Sequence, residues 1–152
     1  KREITLQDAG LLQVEVAGEA SDDIDLFVLY DANGDGEFDF SSEIVAASTT
    51  ATASEFISIQ LPPDGDYLIA VHGWSIPAGE STFDIAINAV QGDDISTSNL
   101  PEGEISPFRV YDFNFELDVD GLPPGVYYGL VALGPPEGPS AALMTITVNI
   151  TE

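Results

Sequence analysis

The stretch Asp23-Ile24-Asp25-Leu26-Phe27-Val28-Leu29-Tyr30-Asp31 decides the fold class. From Ile24 to Tyr30 it is rich in β-branched and aromatic residues, so it reads as a strand. Both of its faces are largely apolar. Outward from it, apolar residues alternate with polar ones, and turn residues recur about every ten positions, the spacing of short strands. No segment carries a convincing helical period. The pattern predicts an all-β sandwich. Strands are expected at 3–6, 11–16, 25–30, 44–48, 55–60, 65–73 and 81–89, and in a second set at 109–119, 125–133 and 142–150. Between the sets, 91–107 is polar and rich in Gly, Ser, Asp and Pro, the composition of a boundary or long connection.

The strand runs into Asp31-Ala32-Asn33-Gly34-Asp35-Gly36-Glu37-Phe38-Asp39. Oxygen-bearing residues alternate and a Gly marks a sharp turn, the D-x-[DN]-x-[DN]-G spacing of a calcium loop. Calcium takes six to eight oxygens, several of them anionic. Asp31, Asn33 and Asp35 supply side-chain oxygens in this reading, Glu37 its carbonyl, and Asp39 binds directly or through water. It is not an EF-hand. Counting Asp31 as position 1, position 12 is Ser42 and Glu43 falls one place late, so the bidentate Glu is missing or displaced. The flanks are strands, which gives a strand–loop–strand site for Ca2+. The alternative is a solvated Asn-Gly/Asp-Gly turn without metal. Asp31, Asp35, Glu37, Asp39 and Glu43 lie together with no Lys or Arg among them, and such a cluster repels itself without a cation.

The whole chain shares this imbalance. Its 152 residues carry 27 acidic and three basic side chains, for a net charge of −24. That excludes nucleic acid and anionic membrane surfaces as partners. Lys1, Arg2 and Arg109 are the only fixed cations. Bound calcium or high salt is the remaining relief for the self-repulsion. Hydrophobic content of 44% supports a packed core. No apolar run is long enough to span a membrane. There is no Cys, which suits an exported bacterial or archaeal protein, extracellular or on the cell surface, better than a secreted eukaryotic domain. Starting at Lys1 without a signal peptide, the sequence reads as part of something longer.

An internal echo links Leu61-Pro62-Pro63-Asp64-Gly65-Asp66-Tyr67 to Leu122-Pro123-Pro124-Gly125-Val126-Tyr127-Tyr128. Each leads into a strand, as does the tyrosine corner of immunoglobulin-like sandwiches. Tyr67 and Tyr128 are the residues in register. The echo implies two sandwich units, at 1–90 and 93–152.

Three segments together are similar to a known family. Asp23 to Asp31, then Val45-Ala46-Ala47-Ser48, then Leu61-Pro62-Pro63-Asp64-Gly65-Asp66-Tyr67-Leu68-Ile69-Ala70-Val71-His72-Gly73 resemble the bacterial pre-peptidase C-terminal domain. That domain follows the catalytic unit of many secreted subtilisin-like serine proteases and metalloproteases. Its pattern is a D-x-D-L-Y strand, a turn, V-A-S-S, and a G-x-Y strand ending near H-G. The likeness covers about residues 1–90. Residues 93–152 resemble, through L-P-P-G-V-Y-Y and a closing strand, the small immunoglobulin-like tail that follows this domain in some subtilisin-like proteases. The resemblance implies a jelly-roll-like β-sandwich followed by a small immunoglobulin/fibronectin-like β-sandwich unit. It further implies calcium binding and a non-catalytic role beside an upstream protease catalytic domain in the same chain. Only the D-x-D-L pair, Asp23 and Asp25, carries over. Where the family has a short turn, this chain has the longer acidic loop, so the loop stands on its own spacing.

Other residues add less. His72 is the only histidine and no G-x-S-x-G motif is present, so a catalytic triad is not expected. His72 is expected to bond a carboxylate such as Asp25 across the sheet, or to face solvent. Asp25, between Ile24 and Leu26, needs backbone N–H groups, His72 or calcium if it is buried. Trp74, placed in a loop, is expected to plug the open end of the sandwich. An exposed indole would instead contact a ligand, stacking on a sugar ring or an aromatic side chain. Two functions follow. The first is a non-catalytic calcium-binding accessory region of an exported subtilisin-like protease, aiding stability, secretion or engagement of a protein substrate or surface. The second is a calcium-dependent carbohydrate-binding module of an enzyme that degrades polysaccharide.

The charge imbalance yields a first prediction. The melting temperature should rise from low salt to about 1 M NaCl or KCl, where the screening length is roughly 3 Å, even with calcium saturating. A flat or falling curve contradicts self-repulsion as a cost to the fold.

Overall fold

The computed structural model describes residues 1–92, 95–98, 110, 112, 114–133 and 142–151. Among these there are strands and no helix. In chain order they are β1 (Arg2–Leu6), β2 (Ala9–Gly18), β3 (Asp23–Tyr30), β4 (Ile44–Ser48), β5 (Ser54–Gln60), β6 (Gly65–Ser75), β7 (Phe83–Gln91), β8 (Ile95–Ser98), β9 (Asn114–Leu117), β10 (Gly125–Leu133) and β11 (Ala142–Ile150). The pairings are antiparallel throughout.

Two sheets make the sandwich, one ordered β1-β6-β3-β4 and the other β5-β2-β7. Alternation along each strand sends one row of side chains inward. Ile24, Leu26 and Val28 of β3 and Tyr67 and Ile69 of β6 meet Leu12, Val14 and Val16 of β2 and Ile57 of β5 in one core. The β4–β5 connection crosses between sheets and is tied down. Ala53 O accepts from Gly18 N at 2.8 Å, and Thr52 O accepts from Ile24 N at 3.1 Å. The buried carboxylate of Glu55 accepts from the hydroxyls of Ser48 and Thr50 and from Thr50 N. A buried charge is tolerated here because each oxygen has donors.

The first Pro-Pro segment forms the expected corner. Tyr67 is 1% exposed, and its hydroxyl donates to Pro63 O at 2.7 Å. In the second segment the residue is Tyr127, whose hydroxyl donates to Pro123 O at 2.9 Å. Tyr128, the expected one, is 69% exposed. The correction follows from strand phase. β6 begins at Gly65 and β10 at Gly125, so Tyr67 and Tyr127 share the second place after the Gly and point to the same side. Alignment on the prolines, which lie one residue further from the strand in the first segment, misses that phase.

Beyond β7, β8 pairs with β9 and β10 with β11. Ile95 of β8 lies against the backbone of Gly129 in β10, so the two hairpin sheets touch. Residues 95–98 were expected within a connection and form a strand instead. Of the strand expected at 109–119, 114–117 is a strand, whereas 109, 111 and 113 lie outside the described residues, as does most of the connection. Leu130 of β10 packs over Gly10 of β2. Beside that contact is a cleft of about 400 Å³, lined in part by Val90, Leu117, Tyr127 and Leu130.

Burial, followed by the nearby Tyr30 and Asp64, pushes the Tyr67 hydroxyl up to about 12 from an ordinary value of 10.0. A raised pKa means that the fold favours the protonated form. That stabilisation is complete below pH 10 and is lost as pH rises from about 10 to about 12. Tyr67→Phe should cost about 1–3 kcal/mol at neutral pH, because Pro63 O loses its donor. It should also flatten the fall in melting temperature over that alkaline window. Tyr127→Phe, at a more exposed corner, should cost less. Equal costs at the two corners would contradict burial as the cause.

Candidate functional site

The acidic loop leaves β3 and returns as β4. Its neck is closed by Tyr30 N donating to Glu43 O at 2.9 Å and Asp31 N donating to Asp66 O at 3.0 Å. The β3–β4 register shifts between Val28, opposite Ala46, and Leu29, opposite Ile44. Val45 is therefore an extra residue, a β-bulge. The bulge draws residue 43 one step along, to a place opposite Tyr30.

Inside the neck the loop is organised by its own carboxylates. Asp31 is buried. Its Oδ1 accepts from Gly34 N at 2.7 Å and Asp35 N at 3.2 Å, and its Oδ2 accepts from Gly36 N at 2.9 Å. Asn33 Oδ1 accepts from Asp35 N, and Asp35 Oδ1 from Glu37 N, each at 2.8 Å. Gly34 and Gly36 have φ of 71° and 78°, the left-handed region where a side chain is strained. Asp39 turns onto Ser41. The Ser41 N–H, followed by the Ser41 and Ser42 hydroxyls, holds its pKa below the ordinary carboxylate value, against a small opposing effect of burial.

Glu43 is 6% exposed. Its Oε2 accepts from Asp39 N at 2.9 Å, so the side chain points back into the loop. Its Oε1 is buried without a hydrogen-bond partner. Among the described residues no group of three or more His, Asp or Glu side chains converges as a metal cluster. Oxygens of Asp31, Asn33, Asp35 and Asp39 cap the loop's own N–H groups. Such an oxygen keeps a second lone pair, since an ionised carboxylate offers about four acceptor positions. The donor set of Asp31, Asn33, Asp35, Asp39 and Glu43 is all oxygen and mostly anionic, which suits a hard cation such as calcium.

The loop also carries apolar side chains. Phe38 packs on a small cluster of Leu29, Leu68 and Ala70, beside Phe27, on the outer face of the four-stranded sheet. Phe40 meets Phe27 edge-on with ring centroids 6.1 Å apart. Lys1 Nζ lies 5.2 Å from the Phe40 ring centroid, a cation–π distance. No expectation from sequence included this cover. The one signal available was Phe-x-Phe inside an otherwise acidic stretch.

The remaining candidates lie at the other end of β3. Asp25 stands opposite His72, and its Oδ2 is 3.4 Å from His72 Nδ1. Asp25 is buried while the imidazole is more than half exposed. Asp23 pairs with Ser75. Six residues of strand separate Asp25 from Asp31, about 20 Å at 3.3 Å per residue, so the two groups cannot share one ion. Trp74 lies on β6, which runs on to Ser75, and not in a loop. It is 70% exposed, edge-on to His72. The expected plug is thereby overturned, since a Trp filling the sandwich end would be buried.

These features define a β-sandwich of antiparallel sheets with a long acidic loop folded over one outer face. Residues 3–73 match the family model of the bacterial pre-peptidase C-terminal domain. The match is a little under half of the chain and ends within β6, before β7 completes the second sheet. Searches of curated proteins and of solved structures gave no match.

Asp31 receives three backbone N–H groups, which give the loop an internal hydrogen-bonded frame. Asp31→Ala should lower stability by about 1–3 kcal/mol even in excess chelator, through unsatisfied donors. Asp31→Asn, which keeps one oxygen acceptor, should lose less. A chelated Asp31→Ala protein that melts with the wild type would show that these bonds contribute nothing.

Proposed function

We propose that this chain is a non-catalytic, calcium-binding accessory region of an exported bacterial protease of the subtilisin-like type, working outside the cell or at its surface. The observation that carries this reading is the match of residues 3–73 to a domain described as bacterial and pre-peptidase C-terminal. In this reading 1–90 is one β unit and 93–152 a second, immunoglobulin-like one. The tyrosine corner at Tyr127 supports the second unit. Among the described residues no helix is long and apolar enough to cross a membrane. The chain has a single histidine and no Gly-x-Ser-x-Gly motif to supply a nucleophile beside it.

The loop's part is to hold Ca2+. The buried oxygen of Glu43 without a partner supports this, together with the oxygen-rich set of Asp31, Asn33, Asp35, Asp39 and the Glu37 carbonyl. The ion would neutralise part of a −24 chain and add binding free energy to the fold. The rest of the domain positions the loop and presents a surface beside a catalytic unit. Exposed Trp74 favours the second reading, a polysaccharide-binding module, because an indole face stacks on the apolar face of a sugar.

Calcium at about 100 times its dissociation constant should stabilise the protein by about 2.7 kcal/mol. Melting with and without chelator reads this directly, and coincident curves remove the metal. The purified chain should hydrolyse neither peptide nor glycan. Deleting it from the parent enzyme should reduce heat resistance, secretion yield or action on insoluble substrate, while cleavage of a small soluble peptide stays the same. Retention on insoluble cellulose or chitin that is lost in Trp74→Ala would favour the sugar reading over the protease one.

A further inference from the structure

We propose that Glu43 is the anionic ligand that closes the calcium site, and that the bound ion latches Phe38 and Phe40 over the outer face of β3 and β6. The inference rests on the calcium reading above and names what that reading lacks. By position Glu43 falls one place beyond the Glu of a helix-flanked calcium loop. The bulge at Val45 compensates, bringing Glu43 opposite Tyr30 at the neck.

Three features converge on Glu43. Its carboxylate is buried, one oxygen receives Asp39 N–H, and the other has no partner. An ionised carboxylate out of water requires a partner for each oxygen. The loop around it holds no Lys or Arg and is rich in further carboxylates. A cation is the partner that satisfies the orphaned oxygen and relieves the repulsion at once. Asp31, at the opposite side of the same neck, is the second buried acid.

The coupling to the sheet follows from chain connectivity. Phe38 and Phe40 lie between Asp35 and Glu43, so both ends of the segment carrying them are fixed when the ion is held. Their attachment is otherwise modest. Phe38 is only partly buried, and Phe40 is 41% exposed. Without the ion the segment should open more often, uncovering Phe27, Leu29, Leu68 and Ala70.

The test uses the full 152-residue chain, stripped with chelator and titrated with calcium chloride by calorimetry. Glu43→Gln should weaken calcium at least tenfold. It is nearly isosteric and keeps an acceptor for Asp39 N–H. Glu15→Gln, an exposed carboxylate on β2 outside the loop, should stay within about twofold of wild type. Amide exchange at residues 27–29 and 68–70 should slow on adding calcium to the wild type and not to Glu43→Gln. Should Glu43→Gln unfold, Glu43→Asp serves, with weakened binding again expected. Wild-type-like titration of the Glu43 variant overturns the assignment while leaving calcium in place. Calcium binding without any change in exchange overturns the latch. A wild type that takes up no calcium withdraws the underlying metal reading, and the assignment with it.

Discussion

Burial of β3 on both faces is the constraint from which the rest of the structure follows. Its inner row, Ile24, Leu26 and Val28, forms the sandwich core with β2. Its outer row, Phe27 and Leu29, would face water in an ordinary two-sheet sandwich. The chain covers that row with the segment directly after β3, which explains why an acidic loop carries two phenylalanines. The Asp25 end of the same row lies beyond the reach of this cover. There the strand uses a carboxylate and an imidazole, and the surface opens towards Trp74.

The second theme is how so many acids are accommodated with so few cations. Backbone N–H and hydroxyl groups take the place that Lys and Arg fill elsewhere. Asp31, Asp35, Asp39 and Glu43 accept N–H groups within one loop. Asp64 accepts Asp8 N, Asp66 accepts the Thr5 hydroxyl, and Glu55 accepts Ser48 and Thr50. Hydrogen bonds to a charged acceptor are stronger than neutral ones, so these groups anchor turns. They do not lower the net charge, and repulsion across the surface persists.

Much of this was legible in the residues. The strands at 44–48, 125–133 and 142–150 fall where alternation and turn residues put them. The acidic loop and the strands on either side of it were likewise readable. What was not legible depended on phase or on distant contacts. Alignment on the prolines points to Tyr128, whereas the strand-starting Gly sets the phase and selects Tyr127. Residues 95–98 are polar enough to pass for a connection, and only pairing with 114–117 makes them a strand. By count Glu43 falls one place late, and the bulge at Val45 that sets it opposite Tyr30 is invisible to counting. The sequence pattern ends the strand at Gly73, while β6 runs on through Trp74 to Ser75.

Lys1 over Phe40 has a topological consequence. β1 is an edge strand that delivers the beginning of the chain to the rim of the acidic loop. Any domain joined upstream of Lys1 by a short flexible tether would be held near that loop at an effective concentration of the order of mM. Weak contacts that two separate proteins would rarely form would then be well populated.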